Sequence, residues 1–365
     1  MITAPVRLKR SLPVVLGVLA VAAVLVVVVQ LRRHAPPEPA RLLPGADAFV
    51  YMNFKWVRAV NAVNQLPPVS HDPEYEKFIQ ATGFQFERDL DEAALAAHYP
   101  ARWGDGATGG AAPEPRFSEI FVGKIQGVRL TAYLRRLASS IENYRSTDIY
   151  SIPLEGRTLR VAVLTVDSVA ASNHDDPGVI RGIIDRSQRL ASPFAGPALL
   201  RQYYKFVPFA SLAWAIAKLE PDASGAALAG WSLLFQRPAR VVVSARYLGA
   251  LHLRAEAFTN SERDAQVLGE RVSAFLNLFH AAESAVGAAG PDPDAKAFFS
   301  SLGVAQHGDR VVVTASVPRG FLKKVLTEAP QELAPPAAGG SEAKPEVPPA
   351  ESPPGPPPNH PKQRN

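Results

Sequence analysis

RVVVSARYLGALHLRAEAF, residues 240–258, sets two apolar runs on either side of Leu248-Gly249. In the second run Leu251, Leu253, Ala255 and Ala257 alternate with His252, Arg254 and Glu256. A period of two turns one face of a strand to a core and the other to water, so His252, Arg254 and Glu256 are expected to be solvated. A short glycine-containing joint between two such runs reads as a hairpin, and hairpins build antiparallel sheet. The same signature recurs where 149–154 and 157–166 flank Glu155-Gly156, with Asp167-Ser168 turning into a third strand.

Working outward, 48–55 (AFVYMNFK) reads as a strand followed by a helix over 56–66. Residues 120–137 and 311–326 repeat this strand-then-helix order, which points to weak internal repetition. Asp176 can cap, and Pro177 can begin, a helix through Leu190. Ser261 can cap a longer helix in which Ala265, Leu268, Val272, Phe275, Leu276 and Phe279 recur at core-facing spacing. The expected class is α+β with a largely antiparallel sheet, in two halves, 42–190 and 191–329.

The N-terminus is of another kind. Residues 1–10 are basic, and 11–31 (SLPVVLGVLAVAAVLVVVVQL) form an uncharged, nearly all-apolar run between Arg7, Lys9, Arg10 and Arg32, Arg33. About 20 helical residues span a bilayer core, and a run apolar on every face leaves no side for water. It is longer than the apolar part of a signal peptide, and its exit, Gln-Leu-Arg-Arg-His, lacks a small-x-small cleavage site. The expectation is an uncleaved, single-pass anchor in the inner (plasma) membrane, with the lipid bilayer as partner of 11–31. The short basic N-terminus favours the cytoplasmic side, which places the body outside the cytoplasm. Residues 32–41 are read as a proline-rich linker holding the body off the bilayer. Residues 330–365 carry 12 of the 34 prolines and almost no large apolar side chain, the composition of a disordered tail.

The charge of +5 follows from this layout. Residues 1–41 hold six cations and one acid; removing them from the 39 basic and 34 acidic residues leaves 33 of each. A neutral body without a basic run lacks the footprint of a nucleic-acid binder. The chain has no cysteine, which removes disulfides, thiolate metal sites and a cysteine nucleophile.

Four acids, Glu87, Asp89, Asp91 and Glu92, crowd into ATGFQFERDLDEAALAAH (81–98). A calcium loop begun at Glu87 would put Glu92 where the sharp turn needs glycine and His98 where a bidentate glutamate belongs. A loop begun at Asp89 would put Ala93 at a ligand position. These acids are therefore expected to lead into AALAA as solvated charges. The eight histidines form no His-Glu-x-x-His pair, and His174-Asp175-Asp176 is better read as a helix start. Gly123-Lys124 lacks the remainder of a phosphate loop, and no Gly-x-Ser-x-Gly occurs. Ser341 to Lys344 lies in the tail, and the glycine-rich 104–111 reads as a loop. No catalytic, cofactor-binding or metal residue is assigned, and no cofactor is expected.

Three segments carry a resemblance: LLPGADAFVYMNFKWVR (42–58), FIQATGFQFERDLDEA (78–93) and FVGKIQGVRLTAYL (121–134). They are similar to recurring elements of uncharacterised, signal-anchored bacterial exported proteins, with Gln85-Phe86 standing where Asp-Pro is usual. The resemblance implies an envelope protein and carries no catalytic residues with it.

The expected function is a membrane-anchored extracytoplasmic binding or scaffolding protein, without catalysis, for an unknown envelope partner. A carrier of lipid or another apolar ligand is the first alternative. A hydrolase with a dispersed site is the second; it would gather His98, His174 or Asp89 and Asp91 in one cleft. Orientation has a direct test: a C-terminal reporter active only in the cytoplasm should stay silent, and activity would reverse the assigned topology.

Overall fold

The computed structural model describes residues 35–60, 71–99, 115–154, 156–188, 196–220, 234–286 and 293–321. The apolar run 11–31 expected to be an anchor, the segment 330–365 expected to be a tail, the glycine-rich 104–111 and the side chain of His280 lie outside them. So do the later parts of the helices expected over 56–66 and 311–326. Among the described residues no helix is long and apolar enough to cross a membrane.

The twelve strands of the described residues belong to one sheet. The first seven are β1 (Ala48–Asn53), β2 (Leu90–His98), β3 (Arg116–Gly123), β4 (Ser140–Tyr144), β5 (Thr147–Leu154), β6 (Arg157–Val163) and β7 (Ser168–Ser172). The rest are β8 (Ala213–Leu219), β9 (Ala239–Tyr247), β10 (Leu251–Phe258), β11 (Gly303–His307) and β12 (Arg310–Val317). Their order is β11-β12-β10-β9-β8-β1-β2-β3-β7-β6-β5-β4. Each pairing is antiparallel. The fold is therefore α+β, and both hairpins form where the turn residues place them, Tyr247 facing Leu251 and Leu154 facing Arg157.

The helices are α1 (Glu38–Leu42), α2 (Phe54–Val60), α3 (Pro73–Thr82), α4 (Phe86–Asp89), α5 (Gly127–Leu137), α6 (Gly178–Gln188), α7 (Ala198–Tyr203), α8 (Glu262–Val286) and α9 (Pro293–Ser300). On one face of the sheet, Phe49, Ala94, Ile120, Ala162, Ala170, Ile216 and Val242 form a continuous core. Ile180, Ile183 and Ile184 of α6, Leu200 of α7, and Ala40 and Leu42 of α1 complete it. Alanines across the middle strands let these helices lie close to the sheet. On the other face Leu134 of α5 packs on Tyr150, Val161 and Val169. Ala265 and Leu268 of α8 pack on Ala257 and Val311.

The helix starts match their capping residues. Gly178 N–H donates to Asp176 Oδ1 (2.7 Å), and Asp264 N–H donates to Ser261 Oγ (3.1 Å). Three expectations need correction. The linker 32–41 does not end as a spacer: α1 begins at Glu38, and Pro39, Ala40 and Leu42 are buried. The apolar character of these residues ties them to the core. Phe275 of α8 is half-exposed, because the helix rests on the sheet along Ala265 and Leu268.

Glu256 supplies the third correction. It is only 3% exposed, because the face of β10 assigned to water is covered by the turn after α7. Arg254 Nε (2.7 Å) and Arg310 Nη1 (3.0 Å) bind its two oxygens, while Arg310 lies over the rings of Phe206 and Phe258. A carboxylate at such a depth needs this pairing.

The β4–β5 turn places two non-glycine residues at positive φ, Arg145 (48°) and Ser146 (63°). Arg145 is held by Asp185 (3.0 Å), and its carbonyl accepts from Gln188 (2.8 Å). Ser146 has no such hold among the described residues. Ser146→Gly is expected to stabilise the protein by about 0.5–1 kcal/mol, seen as a higher denaturation midpoint at unchanged slope.

Candidate functional site

The antiparallel sheet has two rims. The upper rim carries the ends of β1, β3, β6 and β9 and the starts of β2, β7, β8 and β10; the lower rim carries the opposite ends. The acidic stretch sits on the upper rim, and its local fold follows from its sequence. Asp72 caps α3, accepting from the N–H groups of Glu74 and Tyr75 (2.9 and 2.8 Å). Gly83 ends α3 at φ 74°, the left-handed conformation that a helix C-terminus favours. Phe84 and Phe86 then join Tyr75, Phe78 and Tyr133 in an aromatic cluster.

Each acid is already engaged. Glu87 accepts from Gln85, from Tyr75 Oη (2.7 Å) and from His71 Nε2 (2.6 Å). Burial opposes its ionisation, but Gln85, a backbone N–H, Tyr75 and His71 outweigh burial and hold it at about 2. Burial, reinforced by the bond to Glu87, pushes the Tyr75 phenol up to about 12. Asp89 is buried and receives Arg88 through Nε (2.9 Å) and Nη2 (2.6 Å), with Gln85 N–H at 3.0 Å. The Arg88 guanidinium keeps it below the usual carboxylate range. Asp91 pairs with Arg58 (2.5 Å) and Lys55 (3.3 Å), and Glu92 accepts from Tyr51 Oη (2.9 Å). The expectation of solvated charges is overturned: these acids are acceptors that fasten the rim.

Two motifs distant in the sequence meet here. A Cβ on Gly123 would lie 2.3 Å from the carbonyl oxygen of Asp89, so only glycine fits. Lys124 N–H donates to that oxygen (2.9 Å). The Gly-Lys pair thus closes the β2–β3 end rather than a phosphate loop. Beside it an open cavity of about 610 Å³ is lined by Arg88, Asp89, Asp91, Lys124, Gln126 and Val166. Val166 on the β6–β7 turn is 88% exposed, and Val128 at the start of α5 is 86% exposed.

His98 and His174 meet on the lower rim. Their rings touch edge to face at 5.1 Å. Nε2 of His98 is buried with no partner among the described residues, while His174 Nδ1 accepts from Asp176 N–H (3.1 Å). β2 separates this pair from Asp89 and Asp91 by about 26 Å at the rise of a strand. The structure therefore unites the two histidines and the two aspartates separately, never in one cleft. Among the described residues, no three His, Cys, Asp or Glu side chains are placed to hold a metal. Sequence reading named His98 and His174 as groups that a dispersed site would gather, but nothing in it placed them together, because that depends on β2 and β7 both flanking β3.

Burial, reinforced by the neighbouring His174, lowers the His98 pKa below its unfolded value. The unfolded chain then binds more protons near pH 6, so this contribution is complete above about pH 6.5 and is lost as pH falls through the folded value. His98→Gln is expected to flatten the decline in melting temperature between pH 7 and 5. Both proteins should still lose stability below pH 4, where Glu87 and Asp89 titrate. Parallel profiles from pH 7 to 5 would contradict this assignment.

No family model matches the chain, and no curated protein matches its sequence. Among solved structures the chain is similar to TP0453 in three crystal forms. Form III superposes with a TM-score of 0.43 at 10% identity, over 80% of this chain and 98% of that one. Form I gives 0.40 at 11% identity over 80% and 97%, and form IV gives 0.37 at 11% over 80% and 98%.

Proposed function

We propose that the chain is a single-pass, membrane-anchored extracytoplasmic protein whose body binds or scaffolds envelope components without catalysis. One observation carries this reading: the acids of the upper rim are consumed as acceptors for Arg88, Arg58, Lys55, Tyr75 and Tyr51. A general acid or base needs a proton it can exchange with a substrate, whereas Glu87 and Asp89 are held ionised. The surface left uncommitted is a recognition surface, with Val128 and Val166 projecting beside a charged cavity. Exposed apolar side chains rimmed by polar groups favour a protein partner.

A second reading, a carrier of lipid or another apolar ligand, draws on a cavity of about 510 Å³ beside the first turns of α8. Leu234, Phe235, Val267 and Leu268 line it together with Arg263 and Arg271. This volume lies within the range of small-molecule pockets. Native mass spectrometry of the detergent-extracted chain separates the readings, since a carrier retains a bound lipid.

The binding reading predicts discrete adducts when a photo-crosslinking residue replaces Val128 or Val166 in intact membranes, and none when it replaces Leu154 on the lower rim. Turnover in a broad hydrolase screen that is abolished by Asp89→Asn or His98→Gln would overturn it.

A further inference from the structure

The upper rim carries a second set of exposed apolar side chains, one on the first turn of α2 and one on each of two neighbouring loops. Trp56 follows β1 and is 54% exposed, Phe209 precedes β8 at 69%, and Leu248 joins β9 to β10 at 66%. The strands run β10-β9-β8-β1, so these tips stand side by side over about 14 Å. Each is presented by an ordered turn. Trp56 N–H donates to Asn53 Oδ1 (3.1 Å). Ser211 Oγ donates to the Pro208 carbonyl (2.7 Å), with Ala210 at φ 59° between them. Gly249 at φ 86° turns the chain behind Leu248.

Cations outnumber acids around the tips. Segments 53–58, 204–212, 246–250 and 318–320 contain Lys55, Arg58, Lys205, Arg246 and Arg319 and no acid. Asp91, from β2, offsets Lys55 and Arg58, and the Asp294 carboxylate of α9 lies against Gly320. Arg319 reaches the Gly249 carbonyl (2.8 Å) and lies over the Tyr247 ring, which keeps its charge beside Leu248.

The start of the described body, α1, lies in the core on one face of the sheet, and the chain runs from it to the start of β1 on the lower rim. Arg186 near the end of α6 donates to the Leu42 carbonyl of α1 (2.6 Å), and Gln188 fastens the same end of α6 to the β4–β5 turn of the upper rim. The described body begins at residue 35, only four positions beyond the apolar run 11–31. A linker this short brings the part of the body nearest α1 to the bilayer surface.

We infer that the first turn of α2 with Trp56 and the loops with Phe209 and Leu248 insert into the interface of the bilayer that holds residues 11–31, with the flanking cations on anionic headgroups. The inference rests on the membrane-anchored reading and adds a fixed orientation of the body. Aromatic and aliphatic tips lose water at headgroup depth, while lysine and arginine beside them meet the negative surface potential. Three separate tips on a basic edge suit a fluid surface better than a shaped protein pocket.

The absence of cysteine allows a clean test. Full-length Trp56→Cys, Phe209→Cys and Leu248→Cys, with Leu154→Cys as the lower-rim control, would each carry an environment-sensitive fluorophore. They would be reconstituted in phosphatidylcholine vesicles with and without phosphatidylglycerol, in the presence of nitroxide-labelled lipid. The expected result is a blue shift and quenching at 56, 209 and 248, stronger with phosphatidylglycerol, and neither at 154. Equal responses at all four positions would overturn the inference. Alkaline washing tests the anchor separately: release of the chain refutes anchoring by 11–31, while the quenching pattern decides the orientation of the rim.

Discussion

The pairing of β1 with β8 holds this molecule together. Tyr51 faces Trp214 and Phe49 faces Ile216 across it, and every other strand is reached outward from one of these two. The stacked Tyr51 and Trp214 rings, 5.5 Å apart, and the fully buried Phe49 and Ile216 make this seam the middle of the larger core. Without it, the hairpins of each half would present a central strand as an open edge, with unpaired backbone groups and half-covered apolar side chains. The two halves are thus one sheet, and helices on both faces complete it.

That arrangement explains why polar residues serve structure so often here. A broad sheet covered by helices buries some charged side chains of its strands and rims, and each must find a partner. Glu256 does so between two arginines, and Asp89 does so with Arg88 and the backbone of Gln85. Glu87 gathers Tyr75, Gln85 and His71, tying the start of α3 to α4. Groups that resemble catalytic machinery in a list of residues are the fastenings of the upper rim. Among the described residues, large apolar side chains stand exposed at Trp56, Val128, Val166, Phe209 and Leu248.

The hairpins, helix caps and α+β class were legible in the sequence because each depends on neighbours a few residues apart. Leu248-Gly249 and Glu155-Gly156 can turn whatever lies elsewhere, and Asp176 and Ser261 cap helices through their own backbone. The site was legible only as a cluster of acids. That Asp89 would be buried against Arg88, and that Gly123 would be required by the Asp89 carbonyl 34 positions away, depended on the pairing of β2 with β3. Alternation along β10 misassigned Glu256 for the same reason: period two separates the faces of a strand, but what covers each face comes from elsewhere in the chain.

By itself, the sequence determined the local elements, the apolar run 11–31 and the neutrality of the body, all properties of adjacent residues and their composition. Only the tertiary structure decided that His98 meets His174, that α1 belongs to the core and that Trp56, Phe209 and Leu248 share one edge. The physical reason is the range of the interactions involved. Turn, cap and solvation preferences act within a few residues, whereas contacts between faces and rims exist only after non-neighbouring strands have paired.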